Sequence, residues 1–285
     1  MPGAGEQSPH RPLPTVERYL KAVGRGNSQP QQFMLSGGLG LCAVKFQQNP
    51  QGPRMLANEW IGYGLAGLLG IRHAPYGLVQ VSAESLPDAG RLLIMDDDGD
   101  EVSLLPGIHF YSKWLEPASD LTFEDLKLAG LVSDLGMLAG VAVLDMLVAH
   151  WDRKLGNPNL LMVREQGRAS LYLMDMGMSF GSAIWGLGDL LSPALPDTAF
   201  ALPYSRPPDQ LFRQVRSLQQ FEPYLEAVGR LTRMQIQELV DGLPEEWGVT
   251  IPLWEALIDF LSIRAETLPA NFEARFARAG QEWWQ

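Results

Sequence analysis

Residues 150–157 read His150-Trp151-Asp152-Arg153-Lys154-Leu155-Gly156-Asn157, a polar run that directly follows a long apolar segment. The apolar segment predicts a buried helix that runs to His150, because its side chains need cover from water. Two short apolar stretches, 160–163 and 171–174, follow the polar run and predict strands. Residues 150–157 are therefore predicted to form a loop between a buried helix and a pair of strands.

This loop carries side chains that suit phosphoryl transfer. Asp152 and Asn157 stand five positions apart, so one loop can aim the carboxylate at an attacking hydroxyl and the amide at a metal ion. Lys154 can neutralise charge that develops on a phosphate. Asp175 ends an apolar strand and can bind magnesium, which favours few carboxylates together with phosphate oxygens. On their own, Asp152 and Asn157 also fit a simple capped turn.

The same residues carry a resemblance to known kinases. Residues 150–157 resemble the catalytic loop H-R-D-x-K-x-x-N of protein kinases, and their Asp-Arg pair is similar to the D-R-H-x-x-N loop of phosphatidylinositol 3/4-kinases. Met174-Asp175-Met176-Gly177 resembles the D-F-G metal segment, with Met in place of Phe. Together with Asn157-Pro158-Asn159-Leu160-Leu161, the set resembles the bacterial HipA-like kinases most, over about residues 15 to 205.

The resemblance also assigns roles in the N-terminal half. Ala43-Val44-Lys45-Phe46 is similar to the V-A-I-K strand, so Lys45 is implied to pair with the α- and β-phosphates and Glu59 to be its helix partner. The loop 24–30 stands where kinases cover the phosphates, although it is not a full G-x-G-x-x-G motif. The phosphate contacts implied in that loop are Gly24, Gly26 and Ser28.

The order of elements predicts an α+β chain in two lobes, a protein-kinase-like fold with a small β-rich N-lobe and a helical C-lobe. We expect a flexible tail over 1–14, a nucleotide-binding N-lobe over 15–112 and a C-lobe over 113–285 that holds the catalytic loop and metal site. The further segments are a short amphipathic segment at 16–22, strands at 32–35, 41–46, 78–81, 92–95 and 102–105, a helix over 54–69 stopped by Gly70, a crossover at 108–115, and helices from 209 onward.

Composition excludes several classes of protein. The net charge of −11 disfavours binding to nucleic acid or to an anionic membrane surface. Asp134 and Asp145 interrupt the most apolar segment, leaving less than the roughly 20 apolar residues of a membrane span. The single cysteine, Cys42, allows no internal disulfide and fits a cytoplasmic location, and the N-terminus has no signal-peptide pattern. The G-x-x-x-x-G-K-[ST] motif of P-loop ATPases is absent.

We therefore expect an ATP- and magnesium-dependent kinase that acts on a Ser or Thr hydroxyl of a protein, with Asp152 as the base. A lipid or small-molecule kinase on the same scaffold and a nucleotide-binding pseudokinase are the alternatives. HipA-like proteins are associated with toxin–antitoxin biology, so the resemblance leaves an antitoxin partner open. His150 is expected to brace the loop, while Arg153 fits either a structural clamp or a phosphate contact.

Overall fold

The computed structural model describes residues 12–24, 28–96, 98–127, 132, 134–154, 156–165, 168–192, 215 and 217–283, with side chains up to residue 272. The first part of the chain is rich in strands and the last part is helical. The α+β class predicted from the sequence is confirmed.

A five-stranded antiparallel sheet forms the N-terminal part, in the order β1-β2-β3-β7-β4. Its strands are β1 (Val16–Ala22), β2 (Gln31–Leu35), β3 (Gly40–Lys45), β4 (Tyr76–Val81) and β7 (Gly107–Lys113). A two-stranded hairpin, β5 (Leu92–Met95) and β6 (Glu101–Leu104), follows a short helix, α2 (Pro87–Gly90).

One sequence prediction in this region is wrong, and another is made more specific. Residues 16–22, predicted as an amphipathic segment of no assigned structure, form the edge strand β1, whose largely exposed side chains hide the alternation that marks a strand. Residues 108–115, predicted as a crossover, lie mostly in β7 between β3 and β4. An interior strand is covered on both faces, so its apolar residues follow one another without alternation. Its local pattern therefore does not indicate a strand.

The two faces of the sheet join different cores. Val44 and Val79 belong to a smaller cluster with the β5–β6 hairpin, whereas Leu78 and Phe110 belong to the large cluster that contains the C-terminal helices. Alternation along the strands sends neighbouring side chains to opposite faces. The sheet is thereby fastened to the helical part of the molecule through one face.

Helix α1 (Arg54–Leu68) lies in that large core. Nearly all of its side chains are buried, so it has no solvated face of the usual width. Its indole donor, Trp60 Nε1, reaches Leu239 O at 2.8 Å, which ties it to a C-terminal helix. Gly70, predicted to stop the helix, has φ of 72° two residues beyond its end.

The C-terminal part begins with a three-stranded sheet in the order β10-β9-β8 and two helices. Their bounds are β8 (Ala118–Asp120), α3 (Phe123–Lys127), α4 (Met137–Leu147), β9 (Leu160–Glu165) and β10 (Arg168–Leu173). The predicted strands at 160–163 and 171–174 correspond to β9 and β10. The remaining helices are α5 (Leu187–Leu190), α6 (Glu222–Gly229), α7 (Arg233–Asp241) and α8 (Ile251–Trp283).

Helix α4 ends at Leu147, three residues before the predicted end at His150. Ala149 has φ of 54°, which no α-helix continues through. The carbonyl of Val148 accepts from Phe180 N at 2.7 Å, and Leu147 O accepts from Arg264 Nε at 2.8 Å. Tertiary partners therefore replace the helical ones at this end. No described helix is long and apolar enough to cross a membrane.

Candidate active site

The loop after α4 is closed by its own backbone and by side-chain bonds, among them one between Asn157 and Asp152. Lys154 N donates to Asn157 O at 3.2 Å, and Asn157 N donates to Lys154 O at 2.9 Å. Asn157 Nδ2 donates to Asp152 Oδ2 at 2.8 Å. This bond turns the amide so that Oδ1 faces away from Asp152, as a metal ligand would require. The structure thus brings together Asp152 and Asn157 as the spacing predicted.

Arg153 is a structural clamp. It is buried, and its guanidinium forms a two-pronged ion pair with Asp145 of α4, with Nε 2.7 Å from Oδ2. It also donates to the carbonyls of Pro158 and Asn159, at 2.9 and 2.8 Å. Since these contacts occupy the guanidinium inside the protein, they favour the clamp over the phosphate contact that the sequence left open.

His150 is the first residue of the loop, and its side chain points into the protein interior. Its ring is buried, with Nδ1 3.8 Å from Asp145 Oδ1. Burial lowers the pKa of His150 to about 4, and the neighbouring Asp145 offsets this only in part. The imidazole is therefore neutral near neutral pH, and the bracing role expected for His150 stays a prediction.

Lys45, Glu59 and Asp175 meet at one point. Lys45, the last residue of β3, places Nζ against Glu59 Oε1 and 3.1 Å from Asp175 Oδ1. Glu59 lies on α1 and is fully buried, whereas the side chain of Asp175 is 32% exposed. A strand, a helix and the segment after β10 each supply one member of this charged triad.

Electrostatics fix the ionisation of the triad. Burial lowers the pKa of Lys45, but Asp175 and Glu59 outweigh it and hold the pKa above its usual range. Burial raises the pKa of Asp175, but the charge of Lys45 outweighs it and holds the pKa well below its usual range. Burial raises the pKa of Glu59 to about 7, against the opposing charge of Lys45. Lys45 therefore stays cationic and Asp175 anionic near neutral pH.

Asp175 adopts a left-handed backbone conformation, with φ of 54°. Such a conformation is uncommon for a residue with a side chain and needs support from its surroundings. Glu59 Oε2 supplies part of it by accepting from Met176 N at 3.2 Å. Gly177 N, 3.4 Å from Asp175 Oδ1, helps to orient the carboxylate.

The loop and the triad face one another. Arg153 Nη2 donates to Met176 Sδ at 3.3 Å, and Met174 N donates to Asn159 O at 3.1 Å. Burial raises the pKa of Asp152, an effect that Lys154 opposes and the charge of Asp175 strengthens. Asp152, Asn157 and Asp175 therefore line one site, with Lys154 exposed on the loop beside them.

The loop predicted to cover phosphates is described in part. Gly24 is exposed with φ of 74°, and Ser28 is buried. Gln29 anchors the loop by donating from Nε2 to Met95 O of the β5–β6 hairpin. Gly26 lies outside the described residues. The phosphate contacts of Gly24, Gly26 and Ser28 stay a prediction.

The donor set fits magnesium bound together with phosphate. Asp175 and Asn157 offer one carboxylate and one amide oxygen, and magnesium is held by few protein ligands when phosphate oxygens complete its shell. Within the described residues no group of three His, Cys, Asp or Glu side chains could form a closed metal cage. The site therefore suits a cation shared with a nucleotide.

Sequence reasoning missed two residues that shape this site. Asp145 is a single acid in an apolar helix, and a buried charge requires a partner, so the pattern did carry a signal for its pairing with Arg153. Asn58 precedes Glu59 and bonds to the segment after Asp175, where Gly177 O accepts from it at 2.6 Å. Nothing in its sequence neighbourhood distinguishes it from a surface residue of α1.

Comparisons with solved structures bear on the fold. Hydra Fam20, solved with a sugar, superposes with a TM-score of 0.55 at 13% identity, covering 95% of this chain and 86% of that one. The Helicobacter pylori proinflammatory kinase CtkA superposes with a TM-score of 0.52 at 15% identity, covering 89% of this chain and 96% of that one. At such identities the likeness shows a shared kinase-like fold. Curated protein sequences give no significant match.

The family is shown by sequence. A family model described as HipA-like kinase matches residues 40–191, more than half of the chain. This span holds Lys45, Glu59, Asp152, Asn157 and Asp175, which the fold brings to one site. Kinases of this kind use a nucleotide and a divalent metal in general. The chain belongs to the HipA-like kinase family.

Proposed function

We propose that this chain transfers the γ-phosphate of ATP to a Ser or Thr hydroxyl of a protein. The observation that carries the proposal is the contact of Lys45 Nζ with both Glu59 and Asp175. A lysine that is kept cationic and fixed between two elements suits the α- and β-phosphates, which need preorganised positive charge. The resemblance of Ala43-Val44-Lys45-Phe46 to the kinase lysine strand supports the same role.

Asp152 is the proposed base. Its carboxylate is half-buried and oriented by Asn157, so it can accept the hydroxyl proton as the hydroxyl oxygen bonds to the γ-phosphorus and the bond to ADP breaks. Lys154, exposed on the same loop, is proposed to neutralise the negative charge that develops on the γ-phosphate as it is transferred.

Asn157 and Asp175 are the proposed magnesium ligands, and Gly24, Gly26 and Ser28 the proposed contacts of the phosphate-covering loop. Magnesium, when bound, supplies positive charge against the β- and γ-phosphate oxygens. The protein's part is to hold the two ligands at fixed positions. The clamp of Arg153 on Asp145 and the bond from Met176 N to Glu59 serve that purpose.

A protein acceptor and a cytoplasmic location complete the proposal. The net charge of −11 weighs against an anionic lipid surface, and the lone Cys42 is buried, which suits a reducing compartment. We also propose the division into a nucleotide-binding N-lobe over 15–112 and a C-lobe from 113 onward. Helix α1 would then contribute Glu59 from the N-lobe while packing into the core of the C-lobe.

The change Asp152→Asn tests the base. It keeps the shape of the side chain and removes its proton acceptor, so phosphate transfer should fall by about 10²–10⁴-fold. Binding of ATP with magnesium, followed by calorimetry, should persist because Lys45, Asn157 and Asp175 are unchanged. Transfer is measured with labelled ATP on protein, lipid and small-molecule pools, which also identifies the acceptor class.

The matched control is Asp241→Asn at the exposed end of α7, which should leave transfer unchanged. Transfer by Asp152→Asn at the wild-type rate would overturn the base assignment. Label in lipid or small molecules alone would overturn the protein acceptor. Absence of magnesium-dependent ATP binding in the wild type would overturn the kinase itself and favour a pseudokinase.

A further inference from the structure

Asn58 is a buried side chain near the site that makes four hydrogen bonds, and the reaction described above does not use it. It lies on α1 directly before Glu59 and has no exposed surface. Its Oδ1 accepts from Trp185 Nε1 at 2.6 Å. Its Nδ2 donates to three main-chain carbonyls, Gly177 O at 2.6 Å, Ser182 O at 3.0 Å and Ser179 O at 3.1 Å. Both ends of the amide are therefore satisfied by one stretch of chain, residues 177–185.

That stretch directly follows Asp175 and contains backbone that needs external support. Phe180 has φ of 57°, so two residues with side chains, Asp175 and Phe180, lie in the left-handed region within six positions. Within this stretch Ser179 donates through N and Oγ to Met176 O, at 3.1 and 2.8 Å, and Ile184 N donates to Ser182 Oγ at 3.2 Å. Buried carbonyls require donors, and for three of them Asn58 is the donor.

Asn58 and Glu59 act on the same segment from adjacent positions of one helix. Glu59 accepts from Met176 N, one residue after Asp175, and Asn58 donates to Gly177 O, two residues after it. Glu59 also holds Lys45. The position of the lysine partner and the conformation of the metal segment are therefore set by one turn of α1.

We propose that Asn58, oriented by Trp185, is a positioning residue that holds the Asp175 carboxylate in its metal-binding arrangement. Because the Asn58 amide bonds to carbonyls of the segment, the packing position of α1 fixes the backbone conformation of residues 176–182. Glu59 and Asp175 are thereby held next to Lys45 at the same time. This inference rests on the proposed function in so far as Asp175 binds the metal of a kinase. It adds a residue, and a coupling between α1 and the metal segment, that the kinase roles do not contain.

The change Asn58→Leu tests the inference, because leucine has a similar size and no donor. The magnesium concentration for half-maximal transfer should rise roughly tenfold, as expected for the loss of buried hydrogen bonds behind one ligand. The KM for ATP at saturating magnesium should change little, since Lys45 keeps its place on β3. Amide hydrogen exchange should accelerate within residues 176–182.

Asn49→Leu is the matched control. Asn49 is a buried asparagine whose Nδ2 donates to Phe46 O and Gly52 O, at 2.6 and 3.0 Å, and whose partners lie outside the metal segment. It should lower stability without changing the magnesium requirement. An unchanged magnesium requirement and unchanged exchange at 176–182 in Asn58→Leu would overturn the inference and reduce Asn58 to a packing residue.

A second variant covers the case in which Asn58→Leu does not fold. Trp185→Phe keeps the amide donors of Asn58 and removes the indole N–H that orients them, so it should raise the magnesium requirement in the same direction by a smaller factor. An unchanged requirement in that variant would also overturn the inference. Wild-type protein without transfer or magnesium-dependent nucleotide binding would refute the proposed function, whereas the exchange comparison would still decide the role of Asn58.

Discussion

At the scale of single residues, two buried histidines make the native state sensitive to acid. The His109 ring packs against Phe46 in a tilted arrangement, with ring centroids 4.2 Å apart, and its Nδ1 accepts from Gln47 N at 3.3 Å. Burial lowers its pKa to about 4, the value that burial also gives His150. In the unfolded chain both titrate near 6.5. Below that pH the unfolded state binds more protons, so acid destabilises the native state through these rings.

The change His109→Gln isolates one of these rings. Lowering the pH from 7 to 5 should destabilise the wild type relative to this variant by about 2 kcal/mol, from a folded pKa of about 4 against 6.5 when unfolded. Urea unfolding of both proteins at the two pH values measures the difference. Only the difference between the two proteins is informative, because Glu59 changes the stability of both. Its raised pKa lets it gain a proton in the folded state over the same pH range, which stabilises the native state as the pH falls.

Equal pH dependence of stability in wild type and His109→Gln would show that the ring has the same pKa in the folded and unfolded states, which would contradict the prediction. Because His109 accepts from Gln47 N, two residues after Lys45, ATP binding at pH 7 is measured in both proteins as a control for an effect on the site. The burial of His109 depends on the position of β7 between β3 and β4, which no local sequence pattern reveals.

At the scale of elements, α1 packs against both the metal segment and a C-terminal helix. A side chain at Gly62 would meet Met176 Cβ at 2.5 Å, whereas one at Gly64 would meet the end of the Leu239 side chain on α7. The helix therefore approaches the metal segment on one side and a C-terminal helix on the other without intervening side chains. Glycine at both places permits this approach.

The pair Gly62→Ala and Gly64→Ala separates the two sides. Both changes favour helix formation by up to about 1 kcal/mol. Gly62→Ala must displace Met176 near its backbone, next to Asp175, so it should destabilise the fold by roughly 1–3 kcal/mol and reduce transfer at least about tenfold. Gly64→Ala displaces only the flexible end of Leu239 and should retain most transfer. Urea unfolding and transfer assays measure both, and similar losses in the two variants would contradict the asymmetry.

The elements that could be predicted are those whose pattern is local. Alternating Cys42 and Val44 with glycine turns before them predicted β3, and the apolar run ended by Gly70 predicted α1 to within one residue. The end of α4 could not be predicted because a distant donor, Phe180 N, captures Val148 O. The candidate site divides in the same way: Asp152 and Asn157 share a readable loop, whereas Asn58 and Trp185 meet from 127 positions apart.

At the scale of the whole molecule, the C-terminal part returns to the N-terminal sheet. Trp247 is fully buried and donates from Nε1 to Ile108 O of β7 at 2.9 Å. Its neighbour Glu246 accepts from Ile108 N at 2.7 Å and from Gln47 Nε2 at 3.2 Å. Because Trp247 and Glu246 bond to β7, an interior strand of the N-terminal sheet, the described parts of the molecule should unfold together.

The change Trp247→Ala tests this coupling. Loss of a fully buried indole should destabilise the protein by about 3–5 kcal/mol and shift a single unfolding transition without splitting it. Circular dichroism and tryptophan fluorescence during urea unfolding should report the same midpoint. The control is Met234→Ala at a side chain that is 67% exposed, for which we expect a change within about 0.5 kcal/mol. Two separate transitions, with only the later part of the chain affected, would contradict the coupling.

The bond from Trp60 Nε1 to Leu239 O has a consequence for synthesis on the ribosome. The two residues are 179 positions apart, so α1 emerges long before its covering helix exists. At roughly 5–20 residues per second, the nascent chain exposes the apolar back of α1 for about ten to forty seconds. During that interval this helix is a natural binding site for chaperones. The lysine partner Glu59 therefore reaches its final setting only after residue 239 has been synthesised.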